Sequence, residues 1–263
     1  MPDSPETGGG FFRRIVYRLH FVLAVLVGWF FFISLSLLAV FRIAVLKWDR
    51  ERVMGTWIPR WWRIMSPTLG WEMSVEGEEG FEASRPAVVT VNHQSNLDIV
   101  LWSGFFPRGT VVVGKKQIKQ IPIFGYIFQG TKNILLDREN AERARQSLLE
   151  AARRINTERL NVWMAPEGHR NLGAEMLPFK KGAFHLAIAA KVPVLPVVVG
   201  PVWTVFDARR AMLRPGRIRV KVLDPIPTAS LTDADVASLS VRTRAAMDAA
   251  RRELIASAGP RIS

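Results

Sequence analysis

A histidine and an aspartate on either side of a strand-to-helix turn can move protons together. The segment VTVNHQSNLDIVLW holds such a pair, with His93 at the end of an apolar run and Asp98 five positions later. Across a turn of that length a carboxylate can reach back to the imidazole Nδ1–H, which fixes the tautomer and leaves Nε2 as a base. The ordinary imidazole pKa of about 6.5 suits removal of a hydroxyl proton near neutral pH. Taken alone the pair has an equally good plain meaning, a loop histidine beside an aspartate that opens a helix. A chain with four histidines meets this spacing by accident easily enough.

Three further clusters follow apolar runs. Gly114-Lys115-Lys116 ends one, Asp137-Arg138 closes NILLDR, and Pro166-Glu167-Gly168-His169-Arg170 comes after VWMA. In an open α/β sheet the loops that leave the carboxyl ends of the strands converge on one crevice. Lys and Arg gathered there neutralise a phosphate, the arginines in bidentate fashion. Any one of these cations reads equally as part of a solvated basic face. The formal net charge of +13 nevertheless requires an anionic partner: nucleic acid, anionic lipid or a phosphorylated substrate. The chain has no cysteine, which excludes disulfides, thiolate zinc sites and a Cys nucleophile. His93, Asp98, Glu167, His169 and His185 match no metal-binding spacing, so neither a metal nor a cofactor is expected. His185 itself reads as a packed helix residue.

The elements that would position these groups are legible as Val- and Ile-rich runs bounded by Gly, Pro or charge. They predict strands over 72–76, 87–92, 110–113, 134–136, 162–165, 194–199 and 218–223. Amphipathic stretches predict helices over 97–104, 139–156, 182–190 and 233–257, the last with Thr232 and Asp235 as a start signal. Strands alternating with helices give an α/β fold, a mixed sheet flanked by helices. An N-terminal membrane anchor precedes it. From Phe21 to Phe41 there are 21 residues without formal charge, a helix of about 31 Å that is long enough to cross a hydrocarbon core. Basic residues flank it on both sides, and Trp57, Trp61 and Trp62 then sit among Arg60 and Arg63, the composition of a helix lying among headgroups. A true span and a two-helix anchor dipping into one leaflet both fit. The expected organisation is a disordered N-terminus over 1–10, an anchor over 11–70 and an α/β domain with a C-terminal helix over 71–263.

NHQSNLD, NILLDR, PEGHRN and MLPFKKGAFHLAIAAKVPVLPV, taken in this order, resemble the motifs of the 1-acylglycerol-3-phosphate acyltransferase (lysophosphatidic acid acyltransferase) family. The resemblance covers residues 75–227, and GKKQIKQIPIFG is similar to the family's lysine-bearing segment. It implies the glycerolphosphate acyltransferase-like fold and a direct attack of an acceptor hydroxyl on an acyl thioester. His93 would be the general base and Asp98 its orienting partner. Glu167 would order the catalytic site, Lys115, Arg138 and Arg170 would hold the acceptor phosphate, and the Gly168 backbone would approach the reacting carbonyl. The run 192–199 would shape a substrate pocket. Two departures from the family pattern are His169, where a threonine is usual, and Asn133, where a small residue is common.

The implied partners are acyl-CoA or acyl carrier protein as donor, lysophosphatidic acid as acceptor, and the bilayer itself. The catalytic domain would then sit on the cytoplasmic face of the inner membrane, where such donors are. Three rivals remain: a same-fold acyltransferase with another lyso-lipid acceptor, a membrane-tethered nucleic-acid binder, and a non-catalytic lipid-binding scaffold. Against the second, the aromatic residues cluster in the anchor instead of interleaving with Lys and Arg on the domain, so no nucleic-acid partner is expected.

Overall fold

The computed structural model describes residues 8–95, 97–136, 141–171, 175–207 and 209–259. Two helices come first, α1 (Gly8–Ala44) and α2 (Arg50–Leu69). The domain follows as β1 (Trp71–Glu76), α3 (Gly80–Ala83), β2 (Val88–Val91), α4 (Asp98–Ser103), β3 (Thr110–Lys115), α5 (Phe124–Gly130), β4 (Ile134–Leu136), α6 (Ala141–Thr157) and β5 (Asn161–Met164). It continues with α7 (Gly182–Ala190), β6 (Val194–Val199), β7 (Phe206–Asp207), β8 (Met212–Leu213), β9 (Gly216–Val222) and α8 (Val236–Ala256). A seven-stranded sheet has the order β1-β9-β6-β2-β5-β3-β4. Strands β6, β2, β5, β3 and β4 run parallel, whereas β9 pairs antiparallel with β6 and carries β1 parallel to itself. The sheet is therefore mixed, and five carboxyl ends share one edge.

Strands β2, β5 and β6 are buried at every position, which explains their continuous apolar runs: both faces of the sheet are covered. Alternation sorts their side chains between two cores. Val89, Val91, Trp163, Leu195 and Val197 join α2 and α4 on one face. Val88, Val162, Met164 and Val194 join α6, α7 and the start of α8 on the other. Residues 194–199 are thus interior to the sheet, while Val192 and Pro193 just before them line a surface cavity. On the far side α8 is tied to β9 by Lys221, which donates to Glu253 at 2.7 Å. That bond holds the Glu253 carboxyl below its ordinary pKa and, with the attraction of Glu253 and Glu76 against a smaller burial penalty, the Lys221 ammonium above its own.

The 37-residue α1 is one helix, longer than the apolar stretch that announces it, and it is long and apolar enough over 12–44 to cross a membrane. Its two sides differ. One carries Phe12 and, spaced three or four apart, Leu19, Leu23, Leu26, Phe30, Ile33, Leu37 and Phe41, all exposed. The other packs on the rest of the chain: Phe21 stacks on Phe206 of β7, Phe32 meets Trp57, Trp61 and Phe124, and Ala39 lies with Val53 and Ile127. His20 Nε2 lies 2.6 Å from the Thr68 carbonyl oxygen. In α2 the tryptophans turn inward. Trp61 is buried, Trp57 stacks on it at 6.3 Å, and Trp62 lies against Gly104, while Arg60 and Arg63 face out. Trp57, Trp61 and Trp62 thus line a packing seam between α1, α2 and the domain, and Trp29 on α1 is an exposed indole.

Candidate functional site

β2 ends at Val91 and α4 starts at Asp98, so the intervening turn is held by side chains. Asn92 clamps β6, donating to the Val199 carbonyl at 3.0 Å and accepting from the Val199 amide at 2.8 Å. Gln94 continues that grip: its Nε2 donates to the carbonyls of Val199 and Gly200, and its Oε1 accepts from the Val202 amide. Between these fixed points His93 is the half-exposed residue. Its Nδ1 lies 2.6 Å from Asp98 Oδ2. An ionised carboxylate only accepts, so Nδ1 is the donor in this contact. Asp98 is buried, and its oxygens also accept from the Gln94 amide at 2.5 Å and the Ser95 hydroxyl at 3.3 Å. The imidazole rests on Trp102 with ring centroids 5.1 Å apart, and Trp102 in turn meets the buried Trp163.

The loop after β5 supplies the second wall. Glu167 is 2% exposed and accepts from three N–H groups: the amides of His93 at 3.1 Å and Leu177 at 3.0 Å, and Asn171 Nδ2 at 3.3 Å. The Asn171 amide donates to the His93 carbonyl at 2.8 Å, and its side chain also bonds the Glu175 carbonyl. With both oxygens engaged, Glu167 fastens Asn171 and Leu177 to the backbone of His93. Gly168 has φ +71°, the left-handed conformation that glycine adopts without penalty. Its amide donates to the Ala165 carbonyl at 3.1 Å, closing the turn. That bond gives Gly168 a turn-forming role. Over the same glycine lies Lys180, whose Nζ comes within 2.8 Å of the place a Cβ would occupy.

His169 and Arg170 are exposed at the rim of this turn. Lys115 ends β3 on the same edge of the sheet, and Arg138, two residues beyond β4, lies outside the described residues. The structure thus brings His93, Asp98, Glu167, Gly168 and Arg170 to one edge. His185 is elsewhere. It stands half-exposed on α7 with Nδ1 3.4 Å from Asp233 Oδ1, instead of being packed in the core. Asn92, Gln94, Ser95, Asn171 and Lys180 escape sequence reasoning. The signal was a row of uncharged polar residues flanking His93 where a buried strand ends, each able to satisfy backbone that the turn leaves open.

With this geometry in view, comparison with known proteins sets the class first. Residues 72–200, which hold the turn that carries His93 and the sheet apart from β9, match the family model Acyltransferase. The chain is 38% identical to the 1-acyl-sn-glycerol-3-phosphate acyltransferase of Haemophilus influenzae over 70% of its own length and 75% of that protein's. The Escherichia coli enzyme of the same name is 35% identical over 72% of this chain and 77% of that one. The chain belongs to the 1-acyl-sn-glycerol-3-phosphate acyltransferase family. The crystal structure of the acyltransferase PlsC from Thermotoga maritima shares the fold, with a TM-score of 0.71 at 23% identity over 95% of this chain and 99% of that one.

Proposed function

We propose that the protein transfers a fatty acyl group from acyl-CoA or acyl carrier protein to the sn-2 hydroxyl of lysophosphatidic acid, giving phosphatidic acid. The observation that carries this reading is the 2.6 Å His93–Asp98 contact on a half-exposed imidazole. His93 Nε2 takes the hydroxyl proton as the oxygen attacks the thioester carbonyl. The tetrahedral adduct collapses with cleavage of the C–S bond, and the imidazolium returns its proton to the departing thiolate. The chain lacks cysteine, and no acyl-enzyme is needed. Asp98 orients the ring and stabilises its charged form. Glu167 orders the site through its bonds to the His93 amide, Asn171 and Leu177. Lys115, Arg138 and Arg170 hold the acceptor phosphomonoester, whose further charge and third terminal oxygen a phosphodiester headgroup lacks. The names of the relatives from Haemophilus influenzae and Escherichia coli support the acceptor.

The exposed stripe of α1 is the surface for the bilayer, with the domain on its cytoplasmic face. Between Phe21 and Ile43 the opposite side of α1 is packed on β7, α2 and α5, a length of about 33 Å. A helix covered by its own domain over that distance cannot be ringed by lipid, which favours burial of the outer stripe in one leaflet.

The test is an acyl-transfer assay with labelled oleoyl-CoA or the matching carrier-protein thioester, offered lysophosphatidic acid or, separately, lysophosphatidylcholine. Labelled phosphatidic acid from the parent protein but not from His93→Ala is the expected result. Acylation of the choline lipid alone would keep the base and overturn the phosphate pocket. No product with any pair would overturn the reading.

A further inference from the structure

The matched acyltransferase segment ends at residue 200, yet the C-terminal helix reaches the site from outside it. Arg244, Met247, Asp248 and Arg251 lie three or four residues apart, on one face of α8. Arg244 Nη2 donates to the Met176 carbonyl at 2.7 Å, and its Nε lies 3.7 Å from Asp248. Met176 is buried and immediately precedes Leu177, whose amide is bound by Glu167. Met247 accepts from the hydroxyl of Thr90, on β2 three residues before His93, at 3.7 Å. Arg251 is 2% exposed, and its guanidinium stands 5.9 Å from the ring of Trp203. Trp203 belongs to the turn whose Val202 amide is held by Gln94, the neighbour of His93.

We propose that Arg251 is a positioning residue for acyl transfer, the anchor by which α8 holds both the Glu167 loop and the Pro201–Thr204 turn against the backbone of His93. The proposal rests on His93 being the base. A buried guanidinium is expensive, and an aliphatic side chain of similar volume would pack α8 at lower cost. Its charge has an object here. Burial lowers the Arg251 pKa, and the attraction of Glu167 first and Asp248 second works against that loss. The geometric ties run along the same face of α8: Arg244 holds the Met176 carbonyl beside the Glu167-bound Leu177 amide, and Arg251 stands over Trp203 of the turn that Gln94 holds. Without Arg251, Leu177 and the amide of His93 lose a common fixed point.

The experiment compares full-length parent, Arg251→Gln, Arg251→Lys, Glu167→Gln and the Arg251→Gln/Glu167→Gln double variant, by steady-state acyl transfer and by hydrogen exchange read by mass spectrometry. Arg251→Gln is expected to lower kcat about 10–100-fold with both KM values within about threefold of the parent. Arg251→Lys should recover part of that loss, and the double variant should be no slower than Glu167→Gln, the non-additivity of two groups acting as one. Exchange over 92–98 and 171–177 should quicken at least about tenfold while the interiors of β5 and β6 keep their protection. An unchanged kcat, losses that multiply in the double variant, or exchange that quickens evenly across the sheet would each overturn the proposal. If Arg251→Gln does not fold, Arg251→Lys and its double with Glu167→Gln decide the same points. If the parent acylates no acceptor, the functional reading falls, and localisation of the exchange change still decides the role of Arg251.

Discussion

Asp98 accepts hydrogen bonds from the imidazole, the Gln94 amide and the Ser95 hydroxyl, and each of these needs an acceptor. An asparagine at this position would present an N–H toward at least one of them, although its shape is nearly the same. Asp98→Asn is therefore expected to reduce kcat on the order of 10²–10⁴-fold, as for loss of an acid–base group, with little change in Tm; rates and thermal melts of the same preparation check this. Arg170 is exposed at the rim; if it holds the acceptor phosphate as proposed, Arg170→Ala should raise KM for lysophosphatidic acid about 10–100-fold, the worth of one charge-assisted bond. The same assay with lysophosphatidylcholine, a phosphodiester with one negative charge fewer, should show a smaller penalty. Gly168 belongs to stability as well as to the site. A Cβ there meets only the flexible end of Lys180, but φ stays at +71°. Gly168→Ala should therefore cost about 1–2 kcal/mol in urea denaturation, from the backbone conformation.

At the level of elements, the cap of α8 gives a pH dependence with a definite sign. Thr232 and Asp235 form a reciprocal capping box, in which the Thr232 amide and hydroxyl both donate to Asp235 Oδ2 at 2.9 Å. These bonds hold the Asp235 carboxyl below the ordinary aspartate value of 3.8. A depressed carboxylate contributes stability above its unfolded pKa and loses it as pH falls through the folded value. Asp235→Ala should thus lower Tm at pH 6, and the difference should shrink once the pH drops below 3.8. That start signal was legible in sequence, as were the runs 134–136, 182–190 and 194–199, whose limits match β4, α7 and β6. Helix α5 was not legible: it has seven residues, begins after Ile123 at φ +64°, and carries glycine at Gly125 and Gly130. Nor was the two-residue β7–β8 ladder, too short for any period to show. In the site, the His93–Asp98 pair was readable because its members are five residues apart. The Glu167 clamp on His93 spans 74 residues and follows from the parallel pairing of β2 with β5. The inward turn of Trp61 depends on α1 lying beside α2, which composition does not encode.

For the whole molecule, α1 does two jobs with two faces. Leu19, Leu23 and Leu26 are exposed on the outer stripe, while Ala24 is buried against the domain. Replacing the three leucines by serine should leave Tm nearly unchanged and weaken flotation with anionic vesicles at least about 100-fold, given about 1.5–3 kcal/mol for each buried leucine. Ala24→Leu should do the reverse, loosening the fold while the protein still floats. Because α1 is fastened to the domain from Phe206 to Gly130, the rim of the site stands at one fixed distance from the outer stripe. If that stripe lies in lipid as proposed, the acceptor arrives by lateral diffusion within the bilayer and not from bulk solution. Velocity should follow the mole fraction of lysophosphatidic acid in the surface, falling as inert lipid is added at constant total acceptor, in the manner of surface dilution.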